Sequence, residues 1–215
     1  MARGTHHLSV KPLGGVAVAA LTFLMACQGS GFAYVQSPAR DTFFKVPQGW
    51  ELFDEQDLQG NSQKPSFALF QTDSGPWTVA FDAAPDPSVD NILDAASMHP
   101  AGYALVRELT ADERDTYSLV SLRNEVIPID RLTETDGAIR AISDEDISQG
   151  GGLRGSRLVN ELKVGDEYYT IDQTGILDRE AGKIYLLVIG CKAECYEDNK
   201  GVIEEVADSW TIKES

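Results

Sequence analysis

The sequence predicts an α+β fold, an α/β/α sandwich around a central, mainly antiparallel sheet. Three observations lead there. Strand-like runs are joined by short turns, clearest at Gly165-Asp166, and such connections place neighbouring strands antiparallel. Two stretches, 86–96 and 199–209, space their apolar residues along one face of a helix, and each such face must rest on the sheet. Residues 184–189 are continuously apolar, as in a central strand covered on both faces. A sheet covered on both faces gives three layers.

Taken in order, residues 42–46 read as the first strand, ended by Pro47-Gln48-Gly49, and 50–53 as a second short one. Residues 54–65 are polar and read as loop. Residues 67–72 and 77–81 make a hairpin across Asp73-Ser74-Gly75-Pro76, where Gly and Pro bend the chain. Asp86-Pro87 opens a helix whose inner face is Val89, Ile92, Leu93 and Ala96, with His99-Pro100 as its stop. Residues 103–109 suit a strand. Thr110 and Glu113 have the spacing of a capping box, and residues 117–122 fit helix better than strand. Residues 144–152, acidic and then glycine-rich, read as an exposed loop. Residues 156–164 and 167–177 form a second hairpin, rich in the aromatic and β-branched residues that suit sheets. After the loop 178–183 and the central strand comes the helix 199–209, with Val202, Ile203, Val206 and Trp210 inward. Residues 211–213, near the end of the chain, read as a short tail or last strand.

The amino end carries a different kind of information. Arg3 and Lys11 precede an apolar run, 14–25, that is short for a membrane span, and the run closes in Leu24-Met25-Ala26-Cys27. The pattern resembles the lipobox of bacterial lipoproteins. It implies cleavage between Ala26 and Cys27, acylation of Cys27, and a place on the outer face of the bacterial cell membrane. The division expected is a signal peptide over 1–26, a lipidated terminus and flexible tether over 27–41, and one domain over 42–215. Without residues 1–26 the chain has 189 residues; it loses Arg3 and Lys11 but no acid, so its formal charge moves from −16 to −18. That acidity argues against a nucleic-acid partner and against lying flat on anionic lipid. It suits solubility, a partner with a basic face, or loose cation binding.

Cys191 and Cys195 remain in an oxidising compartment. Their spacing permits a disulfide if the chain turns there; two free thiols and a redox pair are the alternatives.

Further motifs carry a resemblance. An aromatic strand runs into Pro47-Gln48-Gly49-Trp50, Tyr168-Tyr169 lies on a later strand, Gly182-Lys183-Ile184-Tyr185 opens another, and the last helix closes in Asp208-Ser209-Trp210-Thr211-Ile212. Their order and spacing over residues 42–213 resemble the PsbP-like family, named for an extrinsic photosystem II subunit, whose fold is shared by a eukaryotic Ran-binding protein and by exported bacterial lipoproteins. The resemblance implies an α/β/α sandwich and non-catalytic work, docking to or helping assemble a larger complex. The acyl anchor and the cysteine pair depart from the plant proteins and set the photosystem role aside. No family ligand contact maps onto this chain.

A search for chemistry finds little. His99 is the only histidine after residue 26, and no serine sits in a Gly-x-Ser-x-Gly elbow. One histidine and two close cysteines make no zinc set, and the run from Asp144 has Gln149 and Gly155 where a calcium loop needs glycine and glutamate. The stretch from Gly150 to Gly155 suggests a phosphate cradle but lacks its lysine. Arg154 and Arg157 stand out as cations in an acidic chain, either paired with acids at home or offered to an acidic partner. The expectation is therefore a non-enzymatic envelope protein without cofactor or metal, held by membrane lipid through Cys27 and binding a protein partner at the membrane. A small-ligand or cation-binding lipoprotein is the alternative, and an envelope hydrolase a third reading.

Overall fold

A computed structural model describes residues 31–37, 41–59 and 76–213. Its main sheet has seven strands in the order β3-β4-β5-β9-β8-β7-β6, every neighbouring pair antiparallel. These strands are β3 (Glu51–Phe53), β4 (Trp77–Asp82), β5 (Ala101–Glu108), β6 (Ile139–Ser148), β7 (Arg154–Val164), β8 (Glu167–Leu177) and β9 (Lys183–Lys192). A second, three-stranded sheet has the order β1-β2-β10, from β1 (Phe32–Ser37), β2 (Thr42–Pro47) and β10 (Thr211–Ile212).

Alternation along β9 sorts the core into two layers. Tyr185, Leu187 and Ile189 face one side, where α5 (Ala193–Asp208) and the small sheet bring Ile203, Val206, Phe44, Val46 and Trp210. Ile184, Leu186 and Val188 face the other, covered by Val89, Ile92, Ile127 and by Leu122 of α3 (Leu119–Arg123). The α+β sandwich with a mainly antiparallel sheet is thus the observed architecture. Close packing fixes particular glycines: a Cβ on Gly102 of β5 would meet the Val188 carbonyl oxygen of β9 and the Phe81 ring.

Several elements agree with the sequence reading. β8 and the turn at Gly165 (φ 64°) fall where the hairpin signal put them, and Thr110 with Glu113 forms a complete capping box on α2 (Ala111–Arg114). The helix preferred over 117–122 is present as α3, capped by Ser118.

Other expectations are corrected. Residues 32–37 are not spacer: β1 pairs along its full length with β2, from Phe32 opposite Pro47 to Ser37 opposite Thr42, and Val35 and Ser37 are buried. The flexible tether expected over 27–41 therefore cannot include this strand. The polar stretch after residue 54 holds a short helix, α1 (Glu55–Gln59), in which the Asp54 carboxylate accepts the N–H groups of Gln56 and Asp57. Residues 144–148 belong to β6, an edge strand, and only 150–152 form a tight turn. The last helix begins at Ala193, not at residue 199. The strand expected over 67–72, and the turn after it as far as residue 75, lie outside the described residues.

The largest departure is the helix expected over 86–96, of which one 3-10 turn remains, Val89–Asn91. Asp82, fully buried at the end of β4, explains it. Its carboxylate accepts the Ala84 and Ser88 N–H groups, each at 2.9 Å, and the Asn91 side-chain amide at 2.7 Å. A buried carboxylate left unpaired costs far more than one short helix contributes. Leu93 then takes a positive φ of 55°, which stops helical continuation. Val89 and Ile92 are still buried, so the apolar spacing reported burial correctly and conformation incorrectly.

Deleting residues 28–40 while keeping Cys27 is expected to cost about 1.5–3 kcal/mol, the value of burying Val35 against β2. Urea unfolding would measure it; an unchanged midpoint would show β1 to be dispensable.

Candidate functional site

Ala26 and Cys27, the expected cleavage and acylation positions, lie outside the described residues. Among the described residues no helix is long and apolar enough to cross a membrane. Cys191, at the end of β9, and Cys195, in the first turn of α5, are joined as a disulfide with Cα atoms 6.0 Å apart. Both are buried, so the bridge fixes the strand-to-helix turn from inside. The small loop it closes gives it a stabilisation on the order of 1–2 kcal/mol.

The two singled-out arginines separate. Arg157 on β7 is committed at home: Nε and Nη2 donate to the Asp172 carboxylate of β8 at 2.9 and 2.7 Å, and Nη1 donates to Asp208 of α5 at 2.9 Å. The Tyr196 hydroxyl of α5 donates to the same Asp172 at 3.1 Å. Burial opposes charge on Arg157, but the hydrogen bonds and charge of Asp172, with Asp208, outweigh it and push its pKa up. Burial, followed by the charge of Asp172, raises the Tyr196 phenol. The group clamps two strands to the last helix. Arg154 is exposed at the start of β7. Asp172 was not foreseen, although the Gly165-Asp166 turn contained the means. It fixes a register with Val159 opposite Asp172 and Arg157 opposite Thr174, which makes Arg157 and Asp172 diagonal neighbours on one face.

A second clamp lies on the opposite layer. Arg107 of β5 donates to both Glu113 oxygens at 3.0 and 3.1 Å and to Glu125 at 2.9 Å, and the Tyr117 hydroxyl donates to Glu125 at 2.7 Å. Burial, then the Glu125 charge, raises the Tyr117 phenol. For Glu113 burial acts upward, but the Thr110 hydrogen bonds and Arg107 outweigh it and hold the carboxyl below its ordinary value. A carboxyl lowered by folding stabilises at neutral pH, and that contribution is lost as pH falls through the folded value. His99 is exposed, its backbone tied to Ser97.

A cleft of about 500 Å³ opens at one end of the main sheet. The loop after β8 supplies Asp178, Arg179 and Glu180, β9 supplies Lys183, α2 supplies Arg114, and the chain end supplies Lys213. The Asp178 carboxylate accepts the Gly182 N–H at 2.6 Å, Arg114 Nε donates to the Leu109 carbonyl at 3.1 Å, and the Leu109 N–H donates to the Gly182 carbonyl at 2.7 Å. The floor is therefore tied to both β5 and β9. Gly151 joins the lining, and Gly152 beside it, with φ 84°, lets Arg179 lie across its backbone; a Cβ there would sit 3.2 Å from the Arg179 side chain. No group of three or more metal-ligating residues with metal-site geometry occurs among the described residues.

No protein-family model matches the chain, and no curated protein matches it. Solved structures do. The cyanobacterial PsbP of Synechocystis sp. PCC 6803 is 16% identical, with a TM-score of 0.50 over 88% of this chain and 99% of that one. LpqN, described as involved in cell envelope biogenesis of Mycobacterium tuberculosis, is 12% identical, with a TM-score of 0.49 over 86% and 87%. The Saccharomyces cerevisiae Ran-binding protein Mog1p is 10% identical, with a TM-score of 0.47 over 84% and 95%. Seven antiparallel strands, a long carboxy-terminal helix on one face, and the match to the cyanobacterial protein over nearly its whole length make this a PsbP-like fold.

Proposed function

We propose that this chain is a non-catalytic accessory or assembly factor on the outer face of a bacterial cell membrane, held by acylated Cys27 and docking to a protein of a membrane complex. The observation that carries the reading is where the perturbed groups stand. Each titratable side chain with a displaced pKa, from Arg107, Glu113 and Tyr117 to Arg157 and Tyr196, lies outside the described clefts. An acid–base catalyst displays such groups in a cleft; here Arg107, Glu113, Tyr117, Arg157 and Tyr196 join strands to helices, and Tyr103 and Tyr169 lie in the core. The formal charge of −18 that remains without residues 1–26 favours a partner with a basic face.

The paired β1 alters the geometry of anchoring. From Cys27 to Phe32 the chain can reach at most about 17 Å, so the domain would sit close to the headgroups, not at the end of a long tether. Confinement of that kind raises the local concentration of a weak binder. A ligand-binding lipoprotein is the second reading, favoured by the cleft of about 500 Å³.

Cys27→Ser is expected to move the protein from the membrane to the soluble fraction, or to leave the signal uncleaved. Unchanged extraction from washed membranes would count against the anchor. Crosslinking in native membranes should then recover a membrane-complex subunit with the wild type and lose it with Cys27→Ser.

A further inference from the structure

We propose that the cleft between the loop after β8, α2 and the chain end is a binding site for a phosphate group. The charge pattern carries the inference. In a chain of net charge −16, Arg107, Arg140 and Arg157 on the sheet and Arg123 on α3 hold acids at 3.4 Å or less, while Arg131, Arg154, Lys163 and Lys200 hold none within 4.0 Å among the described residues and line no part of this cleft. Arg114, Arg179, Lys183 and Lys213 hold no acid within 4.0 Å among the described residues, and all four line this one cleft. They face three carboxylates there, Glu108, Asp178 and Glu180, of which Asp178 also accepts the Gly182 N–H, so the lining carries one net positive charge. The balance is locally positive on a strongly negative molecule.

Two further features select the chemistry. Arginine offers parallel donors and lysine a compact charge, the combination that recognises tetrahedral oxyanions. Gly151 brings a backbone without a side chain to the lining, so an oxygen-rich group can approach the main chain. The glycine run from Gly150 lacks a lysine in its own sequence; the fold brings Lys183 to it from β9 instead. A volume of about 500 Å³ accommodates a small phosphorylated molecule or a phospholipid headgroup. The site stands on described residues alone and does not require the acyl anchor.

Calorimetric titration of the purified full chain with inorganic phosphate tests it, beside co-sedimentation with phosphatidylglycerol vesicles and with phosphatidylcholine vesicles as the uncharged comparison. The expected result is phosphate binding that weakens roughly tenfold or more in Arg179→Glu and that survives in Lys200→Glu, an equal charge change on the exposed side of α5. Lys213→Glu, at the exposed chain end, gives the same test with little demand on folding, and melting midpoints show which variants remain native. Binding to phosphatidylglycerol that free phosphate displaces would identify a headgroup as the source; phosphate binding without vesicle binding would identify a soluble ligand. Binding to neither probe overturns the site, and so does an equal loss in Lys200→Glu, which would trace the effect to overall charge.

Discussion

Replacing Arg157 by alanine is expected to lower stability by about 3–5 kcal/mol, because it strands the Asp172 carboxylate inside the protein. That carboxylate is 1% exposed and its arginine partner 16%. Only the Tyr196 hydroxyl would remain to it, and one neutral hydrogen bond does not compensate a buried charge. A domain of this size should melt roughly 10 °C lower. The double variant Arg157→Ala/Asp172→Ala should recover much of the loss, since removing both charges is far cheaper than leaving one. A single-variant loss under about 1 kcal/mol would reduce the pair to an ordinary surface bridge. The Asp208 arm, at a residue largely exposed, should matter little: Asp208→Asn is expected within about 0.5 kcal/mol of the wild type.

Trp210→Ala is expected to cost about 3–5 kcal/mol, the range for truncating a large buried aromatic side chain. Trp210 is 6% exposed and follows α5, where its indole N–H donates to the Thr42 hydroxyl of β2 at 2.7 Å. It joins the last helix to the small sheet through both packing and a hydrogen bond. Trp210→Phe keeps most of the packing and loses the bond, so its cost should fall near 1–2 kcal/mol. Chemical denaturation of the two variants separates these contributions. Equal losses would mean the hydrogen bond dominates and the ring packs poorly.

How far the sequence could be read depended on whether local and tertiary demands agreed. Tyr168, Tyr169 and Ile171 favour a strand, the Gly165-Asp166 turn sets its start, and β8 appears there residue for residue. Residues 184–189 have no polar face because β5 and β8 flank β9 while both core layers cover it. The reading failed where a distant partner decided. Asp82 draws residues 84–91 around its carboxylate and overrides a good helical spacing. β6 lies at an edge with most of its residues exposed, so it shows no apolar alternation, and Asp144-Glu145-Asp146 read as loop. Those acids suit an edge, where charge discourages further strand pairing. β1 hid its one buried aliphatic residue, Val35, among Gly, Ser, Gln and Pro. The cleft was invisible for a related reason: Arg114, Gly151, Lys183 and Lys213 come from separate segments and meet only in the folded chain.

The small sheet ties the two ends of the chain together: β2 is flanked by β1 on one side and by β10 on the other, and Thr42 meets Thr211 across 169 positions. A polypeptide delivered amino end first through a translocation pore cannot close this sheet until its final residues emerge. Loop closure over such a span is slow to repay its entropy, so a chain exported as proposed above would stay open to the export machinery for as long as it is being threaded. Completion of the fold would then coincide with release on the far side.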